Sequence, residues 1–309
     1  LDANFTDQEY SEAGATISYN SKEVFSKLIV LKVSPLTDVE IDLLTPNAFL
    51  LSTVQINTQK KSYFEKLSAK KVTAIGFEFI KDSHDQLPVV RLLSEIAGTT
   101  SVLLAGELLA NTNGGNGVLM GGIAGVRPTE IVILGAGTVG EYASRAALGL
   151  GANIRVFDES LSRLRRLQTS LGVRVSTSML DPKELEKSLM RCDVAIGALR
   201  GNGRTPCVVS EKMVEKMKPG TVIIDLSIDN GGCFETSEIT THTQPVIIKH
   251  DVIHYAVPNI TSRVARTSSK ALSNFFMPYL LTIAKDGGFE RVIKNDSGLR
   301  SGIYLYHGL

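Results

Sequence analysis

Cysteine is scarce in this chain of 309 residues. Cys192, Cys207 and Cys233 make an odd number with no CxxC spacing, which argues against a disulfide framework or a zinc site and fits a reducing, cytoplasmic compartment. They read as small core side chains. An excess of charge of one sign is also missing. Lys and Arg total 33 against 32 Asp and Glu, a net +1, so no positive surplus exists to neutralise a phosphate backbone, and nucleic acid is not an expected partner. Although 43% of the residues are hydrophobic, no uninterrupted apolar run approaches the ~18 residues of a membrane helix, and no membrane is expected. The opening Leu1-Asp2-Ala3-Asn4 has neither an initiator Met nor the basic-then-apolar pattern of a secretory signal. Translation is therefore expected to start upstream of Leu1.

The length exceeds one ordinary core at ~100–200 residues per domain, which predicts two lobes. Apolar segments at Ile29–Val33, Phe49–Val54 and Val72–Phe79, with helical stretches between them, read as a small α/β lobe. Helical spacing then runs from Val89 to Leu108 and ends at Asn113-Gly114-Gly115. The glycines from Gly114 to Gly125 frame Val118-Leu119-Met120 and read as a hairpin or an interlobe connection. After Pro128, short β-rich runs alternate with helical ones: Ile131–Leu134, Ile154–Phe157, Val173–Ser176, Asp193–Ala198, Val222–Leu226 and Val252–Val257. That alternation is the signature of a parallel, doubly wound α/β sheet. A long helix from Ala265 to Lys285 carries Pro278, which predicts a kink. No internal repeat or low-complexity tract is present.

The strand Ile131–Leu134 runs directly into Gly135-Ala136-Gly137-Thr138-Val139-Gly140 and then a helix-forming stretch. Strand, glycine turn and helix in that order are the dinucleotide fingerprint: Gly135 permits the tight turn, Gly137 lets backbone approach a pyrophosphate, and Gly140 lets helix and strand pack closely. The helix start offers free N–H groups and positive potential. A second strand ends in Asp158, at the ~20-residue interval of a carboxylate that bonds a ribose diol. Asp158 and Glu159 would repel a 2′-phosphate, which favours NAD over NADP; Arg163, Arg165 and Arg166 argue the other way unless they are solvated helix charges.

Ligands of open α/β sheets lie beyond the carboxyl ends of strands, which singles out Ala198-Leu199, Asp229 and Asn259. Asp229 suits a ribose, a ring amide or a substrate amine, and an Asx turn beside Gly231-Gly232 is the alternative. Asn259 can donate and accept at once toward a nicotinamide or substrate, and turn chemistry explains it equally. His250 and His254 would stand ~13 Å apart along a strand, too far to share a metal. No metal site is proposed, and His242 and His254 read as structural groups.

Together these segments resemble the alanine dehydrogenase and pyridine-nucleotide transhydrogenase family. The resemblance is carried by Ser94-Glu95-Ile96-Ala97-Gly98, Gly114 to Gly122, Ile133 to Gly140, Asp229 to Thr236 and His254 to Asn259. It implies two Rossmann-like doubly wound domains: an NAD-binding domain at residues 91–267, with linking helices, inserted in a discontinuous substrate domain at residues 1–90 and 268–309. The family's substrate, an amino acid or 2-oxo acid, lies in the cleft between the domains, and its members form homo-oligomers, hexamers or dimers. In alanine dehydrogenases a hydride moves between the nicotinamide and the alpha carbon of alanine, and water converts the resulting imine to pyruvate and ammonium. The resemblance places Asp229 and Asn259 beside nicotinamide and substrate, and Ser94 against the cofactor.

The departures fall on the chemistry. Where the family has Lys-Val-Lys-Glu-Pro, with its second lysine on the substrate, this chain reads Lys32-Val33-Ser34-Pro35. Where the family has a catalytic histidine, it reads Val54-Gln55-Ile56, and a neutral amide cannot shuttle a proton near pH 7. The family's substrate-binding arginine has no counterpart before Leu1, and its tail continues beyond Leu309. The leading expectation is an NAD-dependent amino-acid dehydrogenase of the alanine dehydrogenase type, in which Lys32 partly replaces the lost lysine or is an exposed lysine beside a turn. The alternatives are an NAD-binding regulatory protein without turnover, and a dehydrogenase for another substrate.

Overall fold

The computed structural model describes residues 3–201, 203–285 and 288–309, so Leu1 lies outside the described residues. In chain order its strands are β1 (Ile29–Leu31), β2 (Phe49–Ser52), β3 (Thr73–Gly76), β4 (Glu130–Leu134), β5 (Asn153–Asp158) and β6 (Ser176–Met179). They continue with β7 (Val194–Gly197), β8 (Val222–Asp225), β9 (Val246–Lys249), β10 (Val252–Tyr255) and β11 (Ile303–Leu305). The chain divides into two units, Leu1–Leu92 with Ala265–Leu309, and Leu93–Val264.

In the first unit, β1, β2 and β3 are parallel neighbours and β11 adds antiparallel to β3. The strands β2 and β3 are buried along their whole length, as a sheet covered on both faces requires. The carboxyl-terminal segment returns to this core: Phe289 stacks on Phe49 with ring centroids 4.5 Å apart. The helix Ala265–Lys285 runs through Pro278 without ending there.

The second unit carries the order β6-β5-β4-β7-β8-β10-β9. Strand direction of travel reverses between β4 and β7, the switch point at which such sheets bind ligands. Alternate residues of β4 face opposite layers: Ile131 and Ile133 join one apolar cluster, Val132 and Leu134 the other. Both faces are therefore covered, which is why the strands read as continuous apolar runs.

Two expectations need correction. The sheet is not wholly parallel, because β9 pairs antiparallel with β10 across a two-residue turn. His250 and Asp251 form that turn with φ of 51° and 58°, the left-handed pair of a tight hairpin normally signalled by Asn-Gly. The strand expected at Val173–Ser176 lies at Ser176–Met179. The helix before it ends on Gly172, and the strand that pairs with β5 is a mostly polar one at the sheet edge, so the apolar valines marked the connection instead.

The glycine-rich stretch forms a small hairpin within the second unit, with Ile123 and Val126 bridged antiparallel. The helix Pro88–Leu108 meets the length and composition of a membrane span. Arg91, Glu95 and Glu107 interrupt it, however, and Val102, Leu104 and Ala105 are buried in the core of the second unit. A Cβ on Gly98 of that helix would collide with the Val139 carbonyl and stand 2.9 Å from the Ala143 nitrogen. Gly98 thus lets this helix seat directly against the one that follows the glycine turn. Gly98→Ala is expected to destabilise the protein by about 1–3 kcal/mol, the range of overpacking, read as an earlier unfolding midpoint in urea.

Candidate active site

The strand β4 delivers the chain to Gly135, whose φ of 113° suits glycine alone and whose added Cβ would lie 2.5 Å from the Ala198 carbonyl oxygen. Gly135 donates to the Phe157 carbonyl at 2.7 Å, and Ala198 donates to the Leu134 carbonyl at 2.7 Å. The ends of β4, β5 and β7 are thereby tied together. Gly140 presses on the Gly135 carbonyl so closely that no Cβ fits. Gly137 is the opposite case: nothing lies within 4 Å of an added Cβ. That open space stands before the helix Thr138–Gly149, whose first intrahelical bond is donated by Glu141 to Gly137 at 2.9 Å. The amides of Thr138, Val139 and Gly140 precede that bond and are available to an anion. Ser94 lies one turn before Gly98 on the helix that packs against Val139.

Asp158 ends β5 and is only 1% exposed. Its Oδ2 accepts from the Ala136 amide at 2.7 Å and its Oδ1 from the Ser160 amide at 2.8 Å. The carboxylate thus faces the glycine turn and holds it, a structural duty added to the ribose contact expected of it. Arg166, read from the sequence as a solvated helix charge, donates to the Ala136 carbonyl at 3.1 Å. Arg163 stands 3.9 Å from Asp158.

Asp229 and Asn259, thirty positions apart, come together in the structure. Asp229 sits in a short turn after β8, Asn259 follows β10, and the Asn259 backbone N–H is near enough to the Asp229 carboxylate to favour its charged form. Asp229 keeps an exposed side chain, yet partial desolvation by its surroundings raises its pKa above the ordinary value, and the Asn259 backbone offsets part of the effect. Asn259 has φ 56°, and its Oδ1 accepts from Thr261 Oγ1 at 2.6 Å, which is the turn chemistry foreseen as the alternative. The segment around Asp229 is organised by a residue that the sequence reading passed over. Asp225, buried at the end of β8, accepts from the amides of Ser227 and Cys233 at 3.0 Å each; a strand-terminal acid shortly before Gly-Gly is the signal that marked it. His254 is a buried structural histidine: Nδ1 donates to the Val252 carbonyl at 3.0 Å, so Nε2 accepts from Thr236 at 2.7 Å.

The expected contributors of the first unit are held by local clips. Lys32 Nζ is 2.8 Å from Glu40 Oε2 and donates to the Pro35 carbonyl at 3.1 Å. Its ammonium is thus engaged in closing the turn around Ser34, a task that competes with replacing the missing lysine. Ser34 itself is exposed. Gln55 has φ 47° and ψ 54°, a left-handed conformation uncommon outside glycine. Glu78 pins it, its Oε1 accepting from the amides of Val54 at 2.8 Å and Gln55 at 3.0 Å. Nothing in the sequence around Glu78 signalled that role.

A doubly wound sheet with this glycine turn at its switch point defines a dinucleotide-binding α/β protein. The comparisons narrow the class. Models of the alanine dehydrogenase/PNT N-terminal and C-terminal domains match residues 1–97 and 101–309, and the chain belongs to that family. It is 37% identical over 305 residues to an alanine dehydrogenase of Mycolicibacterium smegmatis, covering 98% of this chain and 82% of the relative. An alanine dehydrogenase of Methanococcus maripaludis is 39% identical over 303 residues, covering 97% and 81%. Among solved structures, an L-alanine dehydrogenase superposes with a TM-score of 0.92 at 35% identity, covering 99% of this chain and 84% of that one.

Gly137→Val is expected to keep the melting temperature within about 2 °C, because the added atoms meet no protein. Dinucleotide affinity is expected to fall more than about tenfold in calorimetry. Lys32→Met is expected to cost at most about 1 kcal/mol, as a partly exposed ion pair does, and to leave the KM for an amino-acid substrate unchanged. A raised KM would assign Lys32 to the substrate.

Proposed function

We propose that this chain is an NAD-dependent oxidoreductase of the alanine dehydrogenase type, converting L-alanine, NAD and water to pyruvate, ammonium and NADH. The observation that carries the reading is the pairing of Asp229 with Asn259 at the same carboxyl edge of the sheet as the open space over Gly137. The similarity to alanine dehydrogenases over nearly the whole chain supports the substrate class. Soluble, cytoplasmic homo-oligomers, dimeric or hexameric, are part of the same proposal.

The residues fit the cofactor: Gly137 leaves room for backbone to meet a diphosphate, and the amides of Thr138, Val139 and Gly140 supply donors. Each Asp158 oxygen accepts one backbone bond and keeps a lone pair for a ribose hydroxyl. Its charge, with that of Glu159, selects NAD over NADP. Ser94, Ala198 and Leu199 complete the cofactor wall. When bound, NAD supplies the hydride acceptor for the alpha carbon of alanine. Asp229 orients the amine and takes its proton, a task suited by a raised carboxyl pKa. Asn259 fixes Asp229 through its backbone N–H.

A second reading, an NAD-binding regulatory protein without turnover, is favoured by Ser34 and by the neutral Gln55. The two are separated by incubating the protein with NAD and a panel of amino acids while following reduced-cofactor absorbance, beside an NAD titration. Binding without reduction for any amino acid would replace the first reading by the second, and reduction with an amino acid other than alanine would change the substrate.

The raised pKa of Asp229 makes a linked prediction. Its folded pKa lies above the unfolded one, so its partly desolvated charge costs stability above the folded pKa and nothing below the unfolded pKa. Asp229→Asn is expected to melt above the parent near neutral pH, with the gap closing as pH falls through the folded pKa. Its kcat is expected to drop by about 10²–10⁴, the usual contribution of a general base.

A further inference from the structure

At the edge of the sheet opposite the glycine turn, the amino-terminal ends of β4, β5 and β6 border a cavity of about 460 Å3. Three arginines line it: Arg155 on β5, Arg174 ahead of β6, and Arg191 just beyond the helix Pro182–Leu189. The carboxylate in the lining, Glu130, accepts from Asn153 Nδ2 at 2.8 Å. Cys192 also lines the cavity, and burial pushes its thiol pKa up to about 12, so it stays neutral. Three guanidinium groups against one carboxylate leave an excess of two positive charges. Among the described residues none of the three arginines has an ion-pair partner; the nearby Asp193 is engaged by Arg127 and Lys218.

Arg155 is the residue that ordinary structural roles explain least. It pairs in register with Val132 and so faces the layer of Leu134 and Phe157, where the strand pattern calls for an apolar side chain. Its Nη1 donates to Ser188 Oγ at 2.9 Å, its guanidinium lies 5.8 Å over the Phe157 ring, and its Nε is buried without a hydrogen-bond partner. A half-buried cation with an unused donor is costly unless an anion completes it. Arg174 and Arg191 follow the ends of helices, where a cation is ordinarily favourable, but Arg155 sits on a strand and has no such duty.

We propose that this cavity is an anion site that takes a phosphate group, anchored by Arg155 and closed over by Arg174 and Arg191. Guanidinium forks match the oxygens of a doubly charged tetrahedral anion, and several together exceed what a single carboxylate can use. The site is at the other end of the strands from Gly137, so its ligand does not compete with a dinucleotide, and the proposal does not rest on the cofactor reading.

The test uses the full chain with two probes, inorganic phosphate and glycerol 3-phosphate, in calorimetry and thermal melts. Binding with a raised melting temperature is expected, weakening as salt is added. The Arg174→Ala/Arg191→Ala variant changes two exposed side chains and is expected to bind at least about tenfold more weakly with NAD affinity unchanged. Arg155→Met is expected to abolish binding while melting at or above the parent temperature, because it removes an uncompensated buried charge. Tighter binding of the ester identifies an organic phosphate as the occupant, and equal affinities identify free phosphate. Absence of binding by both probes overturns the proposal. So does binding that survives the double variant or that saturating NAD displaces, since either result puts the anion elsewhere.

Discussion

The contact of Gly140 with the carbonyl of Gly135 sets the geometry of the whole carboxyl edge of the second unit. Because no Cβ fits between them, helix and strand meet at backbone distance, and the amides that open the helix are aimed across the switch point between β4 and β7. Asp158 then fixes the crown of the turn through Ala136, and Gly98 lets the helix Pro88–Leu108 seat against Val139. Beside these close approaches the turn leaves open space over Gly137, the place proposed for a diphosphate.

Around this turn, acids at the ends of strands and in the loops that follow them have different duties. Asp225 and Asp158 spend their oxygens on backbone amides and shape loops. Desolvation raises the pKa of Asp225 in spite of these donors, and raises that of Asp229, which has fewer. In the first unit Glu78 and Glu40 act as scaffold too, holding Gln55 in a left-handed conformation and Lys32 against Pro35.

The two ends of the large sheet carry opposite solutions to binding negative charge. At the carboxyl ends, the proposed donors to a bound anion are main-chain amides at a helix start. At the amino-terminal ends the adjoining helices present their carbonyl termini, so an anion there requires side-chain cations, and Arg155, Arg174 and Arg191 provide them.

The sequence by itself determined β1 to β5, β7, β8 and β10 to within a few residues, the glycine turn that follows β4, and the family, but not β11, whose three residues pair with β3 far along the chain. Apolar period and glycine spacing are local properties, and local sterics translate them directly. It did not determine the antiparallel β9, because His250-Asp251 adopts a turn that its side chains do not advertise, nor the position of β6, whose polar residues lie at an edge. The partnership of Asp229 with Asn259, the pinning of Gln55 by Glu78 and the engagement of Lys32 by Glu40 were decided only in three dimensions. Each depends on which groups are desolvated together, and desolvation is set by packing between segments distant in the chain.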